Sequence, residues 1–376
     1  MAGSSVMQEL WAQRADAAEG AVLSRHVRRL WGLPGTALAV VAWPPVRRER
    51  AFLKWHYWWQ AHLLDCAVDA ASREPTSKRR RRLAKIARAH RIRNITGWTN
   101  NYYDDMAWLG LALERTQRLH SVGHRTAIQT IEMELFDAWS PDAGGGIPWR
   151  RGDDFFNAPA NGPASILLAR TGRSWRAQAM ADWMDSALKD PKSGLIFDGI
   201  RTGSVLDRAI FSYCQGVVLG VETELAIRLD ESRHRERVHD LVAAVEARLC
   251  RDLVIVGGGG GDGGLFDGIL ARYLAFVATS LPGDSDEDQA ARTLAAAIVL
   301  ASAESAWENR LEVEDYPLFG AAWESEARLP GPSHSVATSR GGTVRSSVVP
   351  ERDLSVQLGG WMLMEAAYTV SAAGFR

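Results

Sequence analysis

Apolar residues recur every three or four positions along almost the whole chain, which is the period of an α-helix packed on one side. No run of alternating residues long enough to indicate a sheet interrupts the pattern. Four segments show it as a single apolar stripe on a polar helix. These stripes are Trp11, Ala15, Ala18 and Val22; Ile128, Ile131 and Leu135; Trp175, Ala179, Trp183 and Ala187; and Val238, Leu241, Val245 and Leu249.

Other helical segments are apolar on more than one face. The helix from Met106 carries Met106, Leu109 and Leu113 on one side and Trp108 and Leu111 on another, and residues 215–226 are similar. Such helices must be enclosed by others. About a dozen helices alternate between the two kinds, which predicts an all-α fold, an (α/α)6 barrel of six hairpins formed by residues 1–376 as a single domain. An α-solenoid is the alternative, but no repeat of fixed period supports it.

Composition and charge favour a globular protein without a nucleic-acid or membrane partner. The chain has 376 residues, 46% of them hydrophobic, and a formal net charge of −1. The strongly basic segment 77–93 has no interleaved aromatic residues, so we interpret it as a solvated helix face. The three scattered cysteines, Cys66, Cys214 and Cys250, indicate no disulfide framework, and no secretory signal is recognisable near Met1, so a cytoplasmic location is expected.

Two consecutive carboxylates, Asp104 and Asp105, stand where a loop is predicted to become an apolar helix. One could simply cap the helix. Tyr102, Tyr103 and Trp108 surround the pair with aromatic rings, however, and glycosidic bond hydrolysis needs one ionised and one protonated carboxyl group. The helix N-terminus would stabilise one anion, whose charge would keep the proton on the other. The pair is therefore the first candidate for catalysis.

Polar residues that could bind a sugar follow in several loops. The stretch 144–162 holds three glycines, then Trp149, Asn157 and Asn161, and aromatic rings and amides suit sugar faces and hydroxyls. Further candidates precede or begin apolar helices: Asp198, Tyr213, Gln215, Asp267 and Arg272. The second acid pair, Asp153 and Asp154, has no such aromatic flank. The glycine-rich stretch 256–268 is predicted to be a mobile loop near the pocket, and 327–353 a long surface loop.

Several motifs together resemble glycoside hydrolase family 76. They are "WWQAHLLDCAVDA" (58–70), "NNYYDDMAWLGLALER" (100–115), "GGGIPW" (144–149), "NAPANGPASILLARTG" (157–172), the "DG" at 198, "SYCQGVVLG" (212–220) and "FDGILARYL" (266–274), in the order and spacing of that family. The resemblance covers most of the chain, from about residue 50 to 275.

This resemblance implies an (α/α)6 barrel and the retaining cleavage of α-mannosidic, above all α-1,6, linkages in mannan or manno-oligosaccharides. Asp104 would be the nucleophile and Asp105 the general acid/base. The substrate-binding residues that the resemblance implies are Trp58, Tyr103, Trp149, Asn157, Asn161 and Asp198. From their positions alone, Tyr213, Gln215 and Arg272 are also predicted to bind substrate. No metal or other cofactor is implied, and nothing indicates the oligomeric state. The sequence departs from the family at two positions, with Phe156 where the family often has lysine and Cys214 where it often has asparagine, and these changes are expected to alter a subsite and not the catalytic pair.

Three other functions remain as alternatives. A sugar epimerase on the same toroid would use histidines as acid and base, but most histidines here lie in charged segments expected to face outward (His26, His90, His120, His124, His234 and His239). A glycan-binding protein without activity would keep the aromatic groove. A magnesium-dependent isoprenoid enzyme fits poorly, because "DDMAW" lacks a third acid and a second chelating motif.

Overall fold

The computed structural model describes residues 2–331, 339–340 and 342–376 of the chain. Helices dominate this part of the protein. They are α1 (Ala2–Arg25), α2 (Arg47–Arg50), α3 (Tyr57–Arg73), α4 (Ser77–Arg93), α5 (Tyr103–His120), α6 (Arg125–Asp137), α7 (Ala158–Arg170), α8 (Ser174–Leu188), α9 (Ser212–Leu229), α10 (Ser232–Leu249), α11 (Phe266–Ser280), α12 (Asp286–Glu308) and α13 (Leu354–Ala372). Three short 3-10 helices add Leu30–Gly32, Gly261–Leu265 and Pro350–Arg352.

Twelve of these helices form two concentric rings. The inner ring consists of α3, α5, α7, α9, α11 and α13, each packed against the next, and α13 closes the ring on α3. The outer ring consists of α4, α6, α8, α10, α12 and α1, where α1 packs against α13. The fold is the (α/α)6 barrel that the alternating pattern predicts. The assignment of the whole chain to a single domain stays a prediction.

Burial explains which helices form which ring. In α13 nearly every side chain is buried, whereas α10 buries one face, formed by His234, Val238, Leu241, Val242 and Val245. One predicted stripe is wrong in detail. Trp175 in the first turn of α8 is 58% exposed, and the face that packs inward carries Met180, Trp183, Met184 and Leu188 instead. The stripe was placed about one helical position away from the true core face.

Glycines let the inner helices approach closely. A Cβ atom on Gly162 of α7 would lie 2.4 Å from the Cβ of Val217 on α9, and one on Gly268 of α11 would lie 2.8 Å from the Cα of Gly359 on α13. Neither helix pair can move apart without opening the inner ring. One added methyl group at either glycine would therefore overlap the neighbouring helix.

We therefore expect Gly162→Ala to destabilise the protein by about 1–3 kcal/mol through overpacking. The urea midpoint of unfolding, followed by circular dichroism, measures the loss. Gly123→Ala is the matched control, because a Cβ atom there meets nothing within 4 Å. Equal midpoints for the two variants would show that the α7–α9 contact is looser than described.

The strands are short and lie in the loops. They form two-stranded antiparallel pairs β1 (Val27–Arg28) with β2 (Leu38–Ala39), β6 (Cys250–Arg251) with β7 (Val254–Ile255), β8 (Leu311–Val313) with β9 (Tyr316–Leu318) and β10 (Ser339–Arg340) with β11 (Thr343–Val344), and one antiparallel sheet ordered β3 (Phe155–Asn157), β4 (Gly199–Arg201) and β5 (Val205–Asp207). In the sheet, Phe156 pairs with Ile200, and Ile200 with Leu206.

The prediction of a surface loop at 327–353 is partly wrong. Residues 332–338 and 341 lie outside the described residues. Of the rest, Val344, Val349 and residues 351–353 are buried, because Asp353 accepts hydrogen bonds from the Gly261 amide (2.7 Å) and from Ser347. This segment therefore packs against the glycine-rich stretch instead of solvent. No helix in the described part of the chain has the length and apolar character needed to cross a membrane.

Candidate active site

A cavity of about 590 Å³ opens at the end of the barrel where the inner helices begin. Its walls come from the first turns of those helices and from the loops that precede them. The lining residues are His56, Tyr57, Trp58, Tyr102, Asp104, Asp105, Trp108, Trp149, Phe155, Asn157, Asp198, Arg201, Phe211, Tyr213, Asp262, Phe266, Gly342, Thr343 and Val344.

Asp104 and Asp105 lie in the first turn of α5, as predicted, and both line the cavity. Asp104 accepts two hydrogen bonds, from the indole Nε1 of Trp149 (2.8 Å) and from the backbone amide of Asp105 (2.8 Å). Asp105 accepts one, from the side-chain amide of Asn100 (2.5 Å). The neighbouring carboxylates thus have unequal surroundings, and Asp104 is the better supported as an anion.

The pKa values of the two carboxyl groups differ in the direction that their hydrogen bonds suggest. Burial raises the pKa of Asp104 to about 7, although the bonds from Trp149 and from the Asp105 amide hold it down. Burial, and next the negative charge of Asp104, raise the pKa of Asp105 well above its usual range, against the bond from Asn100. Asp104 therefore ionises first and Asp105 retains its proton, which is the division of labour that paired carboxylates need.

A third carboxylate, Asp262, faces the same cavity and was not singled out by sequence analysis. It lies in the 3-10 helix Gly261–Leu265. One oxygen accepts the indole N–H groups of Trp58 and Trp59 (3.0 Å each), and the other accepts the backbone amide of Val344 (2.6 Å). Burial raises the pKa of Asp262 to about 6. The only sequence signal was its position in the glycine-rich stretch, whose predicted place near the pocket is confirmed.

Aromatic rings cover much of the wall. Tyr213 and Phe266 stack face to face, with ring centroids 3.9 Å apart and planes 2° from parallel. Trp149 meets Tyr102 edge to face at 5.3 Å, and Trp58 meets His62 in the same way at 5.4 Å. Rings of this kind offer flat apolar surfaces beside fixed N–H and carboxylate groups, a combination that suits the faces and hydroxyls of a neutral sugar.

Two predicted polar residues line the cavity from the three-stranded sheet: Asn157 ends β3, and Asp198 directly precedes β4. Asn157 lines the cavity and also caps α7, because its side-chain oxygen accepts the Ala160 amide (3.2 Å). Asp198 lines the cavity and contacts the thiol of Cys214, whose Sγ is 3.8 Å from Oδ1. Burial raises the pKa of Asp198 to about 7, and the nearby Asp207 adds to the effect.

Four predicted substrate-binding residues do not line the cavity. Asn161 is fully buried, with its side-chain amide bonded to both the amide and the carbonyl of Ile147 (2.8 Å each). Gln215 is held in the same way by Ile196 (2.8 and 2.9 Å). Both side chains fix loops, so their amides are not available to a ligand. Tyr103 is almost buried beside Arg151.

The fourth, Arg272, lies elsewhere in the barrel. It pairs with Asp65 (2.8 Å) and Asp69 (2.6 Å) beside a separate cavity of about 160 Å³. Arg272 is six residues into α11, about 9 Å along the helix from its start, and so it is too deep to reach the larger cavity. Phe156 is also buried outside the lining, where its neighbour Phe155 takes the place at the wall.

The prediction that most histidines face outward is wrong for three of them. His26, His90 and His234 are buried, because each lies on the packed side of its segment; His234, for example, contacts Glu222 through Nδ1. Conversely, His56 lines the cavity, and burial lowers its pKa to about 4. It is the one histidine among the cavity-lining residues that the structure describes, whereas acid–base epimerisation with histidines would need two.

The raised pKa of Asp198 predicts a pH-dependent destabilisation. Between about pH 4 and pH 7 the unfolded chain loses this proton while the folded protein keeps it, so the free energy of unfolding falls as pH rises. We expect Asp198→Asn to reduce this slope by the contribution of one carboxyl group and to be the more stable protein at pH 7.5, by on the order of 1.4 kcal/mol per pH unit between the two pKa values.

Urea unfolding at pH 4.5 and pH 7.5 measures this effect, with Asp284→Asn at an exposed position as the control. A wild type whose stability changes no more than that of Asp198→Asn over this range would show that Asp198 is ionised in the fold.

Among the described residues, no three His, Cys, Asp or Glu side chains are grouped so that they could hold a metal ion.

Comparison with known proteins identifies relatives of this site and fold. The family model described as Glycosyl hydrolase family 76 matches residues 21–339. The α-1,6-mannanase GH76A from Salegentibacter sp. HEL1_6 is 27% identical and superposes with a TM-score of 0.80, covering 95% of this chain and 98% of that one.

Two further structures extend the comparison. An inactive variant of the same mannanase, with two consecutive aspartates changed to asparagine, is bound to α-1,6-mannotriose and matches equally well (27% identity, TM-score 0.80, 96% and 99% of the two chains). A protein of Listeria innocua shares the fold at 23% identity, with a TM-score of 0.78 over 97% of this chain and 99% of that one. A comparison with curated protein sequences gives no match.

Proposed function

The chain belongs to glycosyl hydrolase family 76, and we propose that it is a retaining glycosidase that cleaves α-1,6-mannosidic linkages in mannan or manno-oligosaccharides. The observation that carries the proposal is the pair Asp104–Asp105, which lines the cavity in the first turn of α5 with unequal hydrogen bonding. The mannanase of 27% identity supports it, since changing two consecutive aspartates there gives an inactive protein that holds α-1,6-mannotriose.

In the first step, the ionised Asp104 attacks the anomeric carbon while Asp105 gives its proton to the departing glycosidic oxygen. The bond between anomeric carbon and that oxygen breaks, a glycosyl ester forms on Asp104, and the shortened sugar leaves as an alcohol. In the second step, Asp105 removes a proton from water, which displaces Asp104 from the anomeric carbon. Two inversions at one carbon retain its configuration.

The surroundings of each carboxyl group support its role. The Trp149 indole and the Asp105 amide hold Asp104 in one orientation and stabilise its charge, both before attack and when it leaves again. Asp105 has fewer donors and lies beside that charge, so its proton is retained until the glycosidic oxygen becomes basic. Once Asp104 is esterified its charge is gone, the pKa of Asp105 falls, and Asp105 can act as a base.

The rest of the cavity suits a neutral carbohydrate. Trp58, Trp149 and the stacked Tyr213–Phe266 pair supply apolar faces, while Asn157 and Asp198 supply polar groups for hydroxyls. Binding would use these rings and hydrogen bonds, because the Arg201 guanidinium in the lining is already paired with Asp154 (2.6 Å). Asp198, with its weak thiol partner, is free to donate or accept according to pH.

Product analysis after incubation with α-1,6-mannohexaose tests the proposal. We expect shorter mannosides from the wild type and from the control Asp142→Asn, an exposed loop position, and none from Asp104→Asn. The sizes of the products distinguish internal from terminal cleavage. An unchanged hexaose with folded wild-type protein would contradict this activity, and tight binding of the hexaose under the same conditions would indicate a glycan-binding protein instead.

A further inference from the structure

The positive charge of the chain is concentrated in two segments. Residues 27–54 and 77–93 hold 15 of the 44 lysines and arginines but one of the 45 acidic residues. That acid, Glu49, is buried and paired with Arg352 (2.9 Å), so it does not offset the charge at the surface. The formal net charge of −1 therefore hides a strong local imbalance.

The fold brings the two segments together on one side of the barrel. The β1–β2 loop lies against α4, and the Ala37 amide donates to the Lys85 carbonyl (3.2 Å). Between them is a groove of about 340 Å³ with six cations in its lining: Arg28, Arg29, Lys78, Arg81, Arg82 and Lys85. Of these six, Arg82 alone has an ion pair within the part of the chain that the structure describes, with Glu19. Lys78, Arg81, Arg82 and Lys85 follow the helical period, so their charges share one face of α4.

Large apolar side chains stand exposed in segment 27–54, the same segment that supplies Arg28 and Arg29 to the groove. Trp31 is 53% exposed, Leu33 40% and Leu53 65%. The contacts are continuous: the Trp31 indole donates to the Ala51 carbonyl (2.9 Å), and Arg93 of α4 donates to the carbonyl of Phe52 (2.8 Å). We call the cations of the groove together with Trp31, Leu33 and Leu53 the basic face.

The backbone at Trp31 is held in an unfavourable conformation. Its φ of 47° and ψ of 30° lie in the left-handed region, where a bulky side chain is strained. The surrounding loop maintains this geometry with the indole directed along the surface toward Ala51 instead of into the core. Strain of this kind persists where the structure gains something from the exposed position.

We infer that the basic face binds the surface of an anionic phospholipid bilayer. Cations attract acidic headgroups, and exposed tryptophan and leucine side chains enter the boundary between headgroups and acyl chains. A nucleic acid fits less well, because successive bases stack on successive aromatic rings, whereas the basic face as defined has one ring, Trp31, beside the aliphatic Leu33 and Leu53. The sequence-based prediction of no membrane partner relied on the net charge of the whole chain. A net charge contains no information about which cations the fold brings together on one surface.

The basic face also lies next to the catalytic cavity along the chain. Leu53 is three residues before His56, which lines that cavity. The inference does not depend on the proposed glycosidase activity, because it rests on separate residues.

Co-sedimentation of the purified protein with lipid vesicles tests the inference. We expect binding to phosphatidylcholine vesicles that contain about 30 mol% phosphatidylglycerol, no binding to pure phosphatidylcholine, and release as sodium chloride rises from about 0.1 to about 0.5 M. Arg81→Glu with Lys85→Glu should lower the partition coefficient by about tenfold or more. The matched control, Arg125→Glu with Arg251→Glu, changes the net charge equally at exposed positions outside the basic face and should bind as the wild type does.

A second variant separates lipid insertion from general attraction to anions. Trp31→Ser should weaken vesicle binding while leaving retention on a heparin column unchanged. Circular dichroism and hydrolysis of α-1,6-mannohexaose, if the proposed activity is present, confirm that each variant is folded. Failure of the wild type to bind anionic vesicles, equal loss in the control pair, or binding to a DNA duplex without vesicle binding would overturn the inference.

Discussion

Asp104→Asn is expected to reduce turnover of α-1,6-mannohexaose by about 10⁵-fold, because asparagine keeps the shape of the side chain but cannot form the glycosyl ester. The Trp149 indole can still donate to the remaining oxygen. The variant should therefore fold normally and bind the hexaose. Initial rates measure the loss of turnover, and calorimetry measures whether the affinity for the hexaose is retained.

The choice of substrate makes this test specific for a nucleophile. A dinitrophenyl α-mannoside needs no proton on its leaving group, so it bypasses Asp105. Asp104→Asn should be equally inactive on it, because the attacking group is still missing. Fast release of dinitrophenol by this variant would show that Asp104 is not the nucleophile. Asp142→Asn, outside the cavity, should retain wild-type rates on both substrates.

Asp105→Asn has the second largest expected effect, and its pattern differs. Hydrolysis of the hexaose should fall by about 10³-fold or more, since the glycosidic oxygen must then leave without a proton. With the dinitrophenyl mannoside the first step should survive, and the slow second step should let the glycosyl-enzyme accumulate, visible as a burst of dinitrophenol and a mass increase of one mannosyl group.

Added azide distinguishes the two aspartates further. Azide needs no general base, so it should restore turnover of the dinitrophenyl substrate by Asp105→Asn and yield α-mannosyl azide. Asp104→Asn, if rescued at all, would give the β-azide by a single inversion. A β-azide from Asp105→Asn would mean that the two roles are exchanged.

The architecture could be predicted because burial determines which side chains each helix can tolerate. The helix containing Met106, Trp108 and Leu111 has no polar side to expose, so it had to be enclosed. The stripe through Trp175 failed for a related reason. Trp175, Ala179 and Ala187 satisfy the helical period, but the period alone does not reveal the angle at which the helix faces the core, and the face through Met180 and Met184 is the buried one.

The site was predictable where residues begin an inner helix and less so where they lie in loops or deeper turns. Asp104, Asp105 and Tyr213 line the cavity because the first turns of α5 and α9 meet there. Gln215, two residues beyond Tyr213, points into a loop, where its side-chain amide is hydrogen-bonded to the backbone of Ile196. Asp262 could not be predicted because the glycines around it indicate only a flexible backbone. Its position in the cavity depends on hydrogen bonds from Trp58 and Val344, which are distant in sequence.

The central claim is a double displacement at an α-mannosidic bond through Asp104 and Asp105, and proton NMR during the first minutes of mannohexaose hydrolysis tests it most directly. The account predicts that the new reducing end appears first as the α-anomer, with the β-anomer growing later by mutarotation. A product that appears first as the β-anomer, or wild-type protein that yields none, would contradict it.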